Sequence, residues 1–262
     1  MENKIFDSLK YGFNSRRAWW YAATSRTKAR FARTLLGGFW LGLSNLLSVG
    51  ALGAVYGVVF KVEDINAYIV YLGVGLVSWN SLSSAISTAP NLFEQNKDQI
   101  LNTSINHIFY TLEEWAFQTQ TFIQSFILVI IGLSFFQPTL LINIFKVGIL
   151  PLINFLVFMY WVPLMVSTLG LKYKDLYQLI PVVLQLMFLL SPILYKKETL
   201  GDLSITADLN PVFQAINFLR ESLITGNLSF IKLLLMTIVN ILGLTFSMYM
   251  LKRVKKQLPF LV

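Results

Sequence analysis

Six stretches of this chain carry no charged residue, and each is long enough to cross a bilayer as a helix: Leu35–Phe60, Ala67–Phe93, Trp115–Phe145, Val147–Leu171, Leu176–Tyr195 and Leu233–Leu251. A hydrocarbon core takes about 20 mainly apolar residues in helical conformation. A lipid-facing β-barrel needs short alternating segments, and these runs do not alternate. The expectation is an all-α membrane protein with six transmembrane helices. Composition agrees: 55% of the 262 residues are hydrophobic and 13% charged, where a soluble domain is nearer a quarter charged.

The charges between the windows orient the helices. With the N-terminus inside, the inner pieces 1–34, 94–114, 172–175 and 252–262 hold 15 of the 21 Lys and Arg. The acids divide 7 inside to 6 outside, so the net charge is +8 inside and zero outside. This bias predicts both termini in the cytoplasm. It also accounts for the basic composition through anionic headgroups rather than nucleic acid. Residues 1–34, too polar for the apolar core of a signal peptide, form a cytoplasmic interfacial segment, and 35–262 form one membrane domain.

Several function classes lose support. The six windows contain no Asp, Glu or His, the side chains that usually mark proton and ion pathways. The single histidine, His107, falls in the first cytoplasmic loop. There is no cysteine, no G-x-x-x-x-G-K-[ST] phosphate loop, no H-E-x-x-H and no G-x-S-x-G. No catalytic residue, metal site or cofactor is therefore expected on the chain. A membrane enzyme acting on glycans would cluster acids at a water-facing border, and Asp175, Glu198 and Asp202 form no recognisable set. A simple anchor needs one helix. A transporter that draws its energy from a partner suits the chain better.

Four features bear on transport. The loop 93–115 opens on polar Glu94–Gln99 after Pro90 interrupts the second window; it suits either a short surface helix that docks a partner or an ordinary solvated loop. The outer loop 196–232 holds Asn210-Pro211, an N-cap followed by Pro at the first helical position. Val212, Ile216, Leu219 and Leu223 then recur on one face, and Gly226 follows as a C-cap. This short amphipathic helix, entered through Ser191-Pro192, suits an outlet gate or an interfacial anchor. Gly38-x-x-x-Gly42 and Gly53-x-x-x-Gly57 in the first window permit close helix packing, within the subunit or between subunits. Aromatic residues fall near the window borders and along the second window; most suit an interfacial belt.

Read together, WWYAATSRTKARFARTLLGGFWLGLS, YIVYLGVGLVSWNSLSSAIS, GLKYKDLYQLIPVVLQLMFLLSPILY and LNPVFQAINFLRESL resemble the ABC-2 type permease family. More narrowly, they are similar to the transmembrane subunits of bacterial ABC exporters for O-antigen and related surface polysaccharides. The resemblance covers nearly the whole chain in order. It departs at ILNTSINHIF, which lacks the basic pair and proline common in relatives. It departs also at Gly38 and Asn45, where prolines are common.

The resemblance implies a homodimeric channel in the bacterial inner membrane, with an N-terminal interfacial helix and short re-entrant helices after helix five. Two copies of a separate ATPase would carry ATP and Mg. The cargo would be a polysaccharide on a polyprenyl pyrophosphate carrier, with teichoic acid, capsule, a small lipid or a drug as alternatives. Arg26, Arg30 and Arg33, at i, i+4 and i+7, would share a helix face and meet the pyrophosphate at the cytoplasmic entrance. A coupling segment at 94–106, with Glu94, Lys97, Asp98 and Asn102, would contact the ATPase. Pro192, Asn210, Pro211, Phe213 and Arg220 would belong to the outer gate, and Tyr56, Tyr68, Tyr71 and Trp79 would offer faces to the sliding glycan.

Overall fold

The computed structural model describes residues 4–254 and Leu258; Lys255 and Lys256 of the inner piece 252–262 lie outside the described residues. The described residues fold into helices and contain no strand. Among the described residues, five helical stretches are long and apolar enough to cross a membrane: Phe39–Val59, Ile65–Gln95, Ile108–Leu133, Thr139–Gly170 and Phe230–Val254.

Two helices precede the first of these, α1 (Lys4–Asn14) and α2 (Arg16–Arg30), separated at Ser15, whose hydroxyl donates to the Tyr11 carbonyl at 2.7 Å. After the turn at Gly37 (φ +56°) runs α3 (Phe39–Val59). Next is α4 (Ile65–Thr88), whose N-cap Asp64 accepts from the Asn66 and Ala67 amides at 3.1 Å each. A 3₁₀ turn containing Pro90 leads into two short helices, α5 (Leu92–Gln95) and α6 (Lys97–Asn102). Then come α7 (Ile108–Leu133) and α8 (Thr139–Asn143), which continues through a π-helical turn into α9 (Ile149–Gly170). The chain ends with α10 (Leu176–Leu190), α11 (Ser204–Leu209), α12 (Pro211–Thr225) and α13 (Phe230–Val254).

The core forms around α4, whose residues from Leu72 to Trp79 are buried without interruption. Small residues allow the neighbours in. A Cβ on Gly42 would lie 2.7 Å from Leu128 on α7, and one on Gly53 3.3 Å from Ile69 on α4. Both glycine pairs of α3 thus pack within the subunit. Gly170 at the end of α9 is the tightest case against backbone: a Cβ there would lie 2.5 Å from the Pro90 carbonyl oxygen. Polar contacts join α9 to α13, where buried Asn240 accepts from the Trp161 indole at 2.9 Å and donates to Asn154.

One end of the bundle gathers α1, α2, α5, α6 and the turn at 171–175; Lys174 reaches Glu94 there at 3.4 Å. The opposite end gathers the turn at 134–138 and α12, where Gln137 donates to the Ile224 carbonyl at 2.9 Å. The first is called the basic end below, the second the far end.

Three sequence expectations need correction. The fifth window gives only a 15-residue helix, about 22 Å at 1.5 Å per residue, because Ser191-Pro192 turns the chain away. The third border, placed at Lys146, lies inside the helical stretch Thr139–Gly170. The chain reverses earlier, at Ser134–Pro138, and exposed Lys146 carries its charge outward on an apolar stem. Finally, α7 starts at Ile108 rather than Trp115, so Glu113 and Glu114 lie in its first two turns.

Candidate transport path and its two ends

At the basic end α2 lies against α7 through Ala23, Ala116 and Phe117, with Trp19 beside them. Ala at 23 and 116 leaves room for Thr27, whose hydroxyl lies 3.1 Å from the Gln120 side chain. This packing places Arg26 2.6 Å from Glu114 and 4.1 Å above the Phe117 ring. Glu114 is buried and accepts a second bond from Gln118 at 2.8 Å. Thr88, at the last turn of α4, donates to the same carboxylate at 3.4 Å. Arg26 is therefore held by an internal partner, and the network ties α2 to α7 and α4.

Arg26 and Arg30 share the α2 face over the Phe117 ring, 4.1 and 5.8 Å from it, and Arg33 does not. Arg30 is the last residue of α2, and Arg33 lies in the turn after it. The helix stops because the chain turns toward Gly37 and Gly38 before α3 begins. Arg30 and Arg33 are exposed, Arg30 with its guanidinium 5.6 Å from the Phe31 ring.

The proposed coupling residues form an exposed edge. Glu94, Lys97, Asp98 and Asn102 are all exposed, while Ile100 turns inward to pack with Phe93 and Tyr110. The Glu94–Lys174 pair joins this edge to the α9–α10 turn; both side chains are more than half exposed, so the pair is worth about 0–1 kcal/mol.

Between the ends, α4 and α10 leave a polar groove of about 490 Å³ lined by Asn80, Ser83, Ser84, Ser87, Gln185 and flanking apolar side chains. The four α4 residues recur at i, i+3, i+4 and i+7, one helix face. Asn80 donates to Asn45 on α3 at 2.7 Å, and Asn45 to Ser125 on α7 at 2.8 Å. The helical spacing of N-S-L-S-S-A-I-S is the signal of this stripe in the sequence, beyond the aromatic path expected from it. Polar side chains at membrane depth call for water or polar partners.

Of the four aromatics expected along the path, Trp79 lines the polar groove and the three tyrosines lie elsewhere. Tyr68 and Trp79 are buried, 2% and 5% exposed. Tyr68 donates to the Leu194 carbonyl at 2.6 Å, and Trp79 packs on Phe188 at 5.5 Å. Tyr71 lies under Arg220 at 3.6 Å, and half-buried Tyr56 stacks on Phe60 at 5.4 Å. Tyr56, Tyr68 and Tyr71 thus serve as packing and loop attachment within the subunit, while Trp79, with Phe188, forms part of the wall of the polar groove.

At the far end α12 packs into the bundle between α4, α8 and α9, its apolar face Val212, Ile216, Leu219 and Leu223 fully enclosed. Asn210 caps it, accepting from the Val212 and Phe213 amides, and Gly226 ends it at φ +66°. Exposed Pro211 takes the first turn and Phe213 is buried. Asn210 also donates to Ser191 at 2.8 Å, pinning the α10 exit. Arg220, with no exposed surface, donates to the Pro192 carbonyl at 3.2 Å and to Asn217 at 2.7 Å. Tyr71 donates to the same Pro192 carbonyl at 3.0 Å. Pro192, Asn210, Phe213 and Arg220 are thus brought together as one lock between the loop and α4.

Apolar helices that enclose α4 nearly all round, yet leave a polar groove open along it, describe a membrane transport protein. The chain belongs to the ABC-2 type transporter family, whose model matches residues 20–224. It is similar to the O-antigen export system permease protein RfbA of Klebsiella pneumoniae, 25% identical over 225 residues that cover 83% of this chain and 86% of that protein.

Proposed function

We propose that the chain is the channel-forming permease of an ATP-driven exporter that carries polyprenyl-pyrophosphate-linked O-antigen or a related polysaccharide across the bacterial inner membrane. The polar groove of Asn80, Ser83, Ser84, Ser87 and Gln185 carries this reading: hydroxyl and amide groups suit a hydroxyl-rich cargo and give it no fixed charge to stall on. The similarity to an O-antigen permease points to the same cargo.

In this reading the basic end faces the cytoplasm, as its excess of Lys and Arg favours. The short helix α10 supplies the sixth crossing, α12 is a re-entrant helix of the outer gate, and two copies close the groove into a channel. Exposed α6 and its flanks meet a separate ATPase that binds ATP and Mg. Arg30 and Arg33 remain available for the carrier pyrophosphate, while Arg26 positions α2.

Deletion of the gene in its source tests the cargo. Loss of surface glycan with accumulation of lipid-linked glycan inside is expected. An unchanged surface and no accumulation would reject polysaccharide and leave a small lipid or drug as cargo.

A further inference from the structure

A second groove, sharing no residue with the polar one, lies between α1, α2, α7, α9 and α13 at the basic end. Its volume is about 490 Å³, within the range of clefts that hold small ligands. Leu9, Phe13, Ile108, Leu112, Val157 and Met248 give it hydrocarbon walls.

Three aromatics on its wall own a polar atom, and each has used it elsewhere. The Trp19 indole donates to the Gly12 carbonyl at 2.8 Å, and the Trp115 indole to the Leu156 carbonyl at 2.9 Å. The Tyr160 hydroxyl lies 3.3 Å from Thr111. These side chains therefore show an occupant only their apolar faces. What fits inside is a hydrocarbon chain.

The mouth differs. Among the described residues, Arg16 is the one charged residue that lines the groove. It is exposed, 4.6 Å over the Phe13 ring, and one of its N–H groups donates to the Phe13 carbonyl at 3.3 Å. A guanidinium has five N–H donors, so others remain for an anion. Exposed Lys10 and Arg17 are close in sequence, and from Ser8 to Arg30 there are six basic residues and no acid. An apolar slot beneath a cationic rim, on helices that begin a membrane bundle, matches an amphiphile with an anionic head.

We propose that this groove binds one acyl chain of an anionic membrane phospholipid, with Arg16 on its phosphate and Lys10 and Arg17 adding to the attraction. The bound lipid would join α1 and α2 to the membrane-spanning helices.

Native mass spectrometry of the delipidated exporter complex, titrated with phosphatidylglycerol or phosphatidylcholine, tests the site. One phosphatidylglycerol per copy of the chain is expected, retained about fivefold more tightly than phosphatidylcholine, since a basic residue near an anionic lipid is worth about 1 kcal/mol. Arg16→Glu, on the exposed rim, should erase that preference. Met248→Trp, which fills the groove, should release both lipids. Equal retention of the two lipids, a preference unchanged in Arg16→Glu, or displacement by polyprenyl phosphate in place of phosphatidylglycerol would overturn the proposal. Binding is read without export, so a wrong cargo assignment leaves the result intact. If Met248→Trp does not assemble, Arg16→Glu alone decides.

Discussion

The side chain of Arg26 is 42% exposed and that of Glu114 only 8%, and this asymmetry decides what each loss costs. Arg26→Gln leaves a buried carboxylate with Gln118 and Thr88 but without its counter-charge. Thermal unfolding in detergent should show a loss of about 1–3 kcal/mol. Arg33→Gln, at an exposed turn, should stay within about 0.5 kcal/mol. Replacing all three arginines would confound folding with cargo binding. Arg30→Gln with Arg33→Gln separates them: export is expected to fall while the melting temperature holds, and unchanged export would remove the phosphate role. The partnership of Arg26 was not legible in the sequence. The charge of Glu113-Glu114 reads locally as a loop, and nothing near it in the chain shows that α2 folds back over it.

Among the elements, apolar length was legible and turning points were not. Hydropathy reports where hydrocarbon is matched, not where the chain reverses. Gln137-Pro138 makes the turn inside an uncharged stretch, while charged Lys146 rides within the helical run that follows. The cap signals did better: Asn210, Pro211 and Gly226 bound α12 as their chemistry requires. That α12 is enclosed rather than laid on a surface follows from its neighbours on α4, α8 and α9, which local spacing does not reveal. For α6, exposure on the Lys97, Asp98 and Asn102 side leaves an edge for a partner. Cysteine introduced at Asp98 should cross-link to the ATPase. Absence of a cross-link from every exposed position between 94 and 106 would take the coupling role from this segment.

The whole molecule sets a polar groove against a short helix. Changing Ser83, Ser84 and Ser87 together to Leu makes the α4 face apolar without adding bulk to a packed core, since Ser84 is exposed and the other two are half-buried. Membrane insertion should be retained and export lost. Normal export by a well-inserted triple variant would place the path elsewhere. The other wall has a consequence of its own. A helix of about 22 Å meets hydrocarbon about 30 Å thick, and lipid adapts to such a mismatch by thinning, at fractions of a kcal/mol per Å. In the proposed arrangement, with α10 as the sixth crossing, the bilayer is drawn in beside it, and a head group bound for the opposite leaflet has less oil to cross there. Reconstitution in shorter-chain lipids relieves the deformation, and transport rates should rise as acyl length falls; a rate that climbs with thickness would show that α10 leaves the surrounding membrane undisturbed.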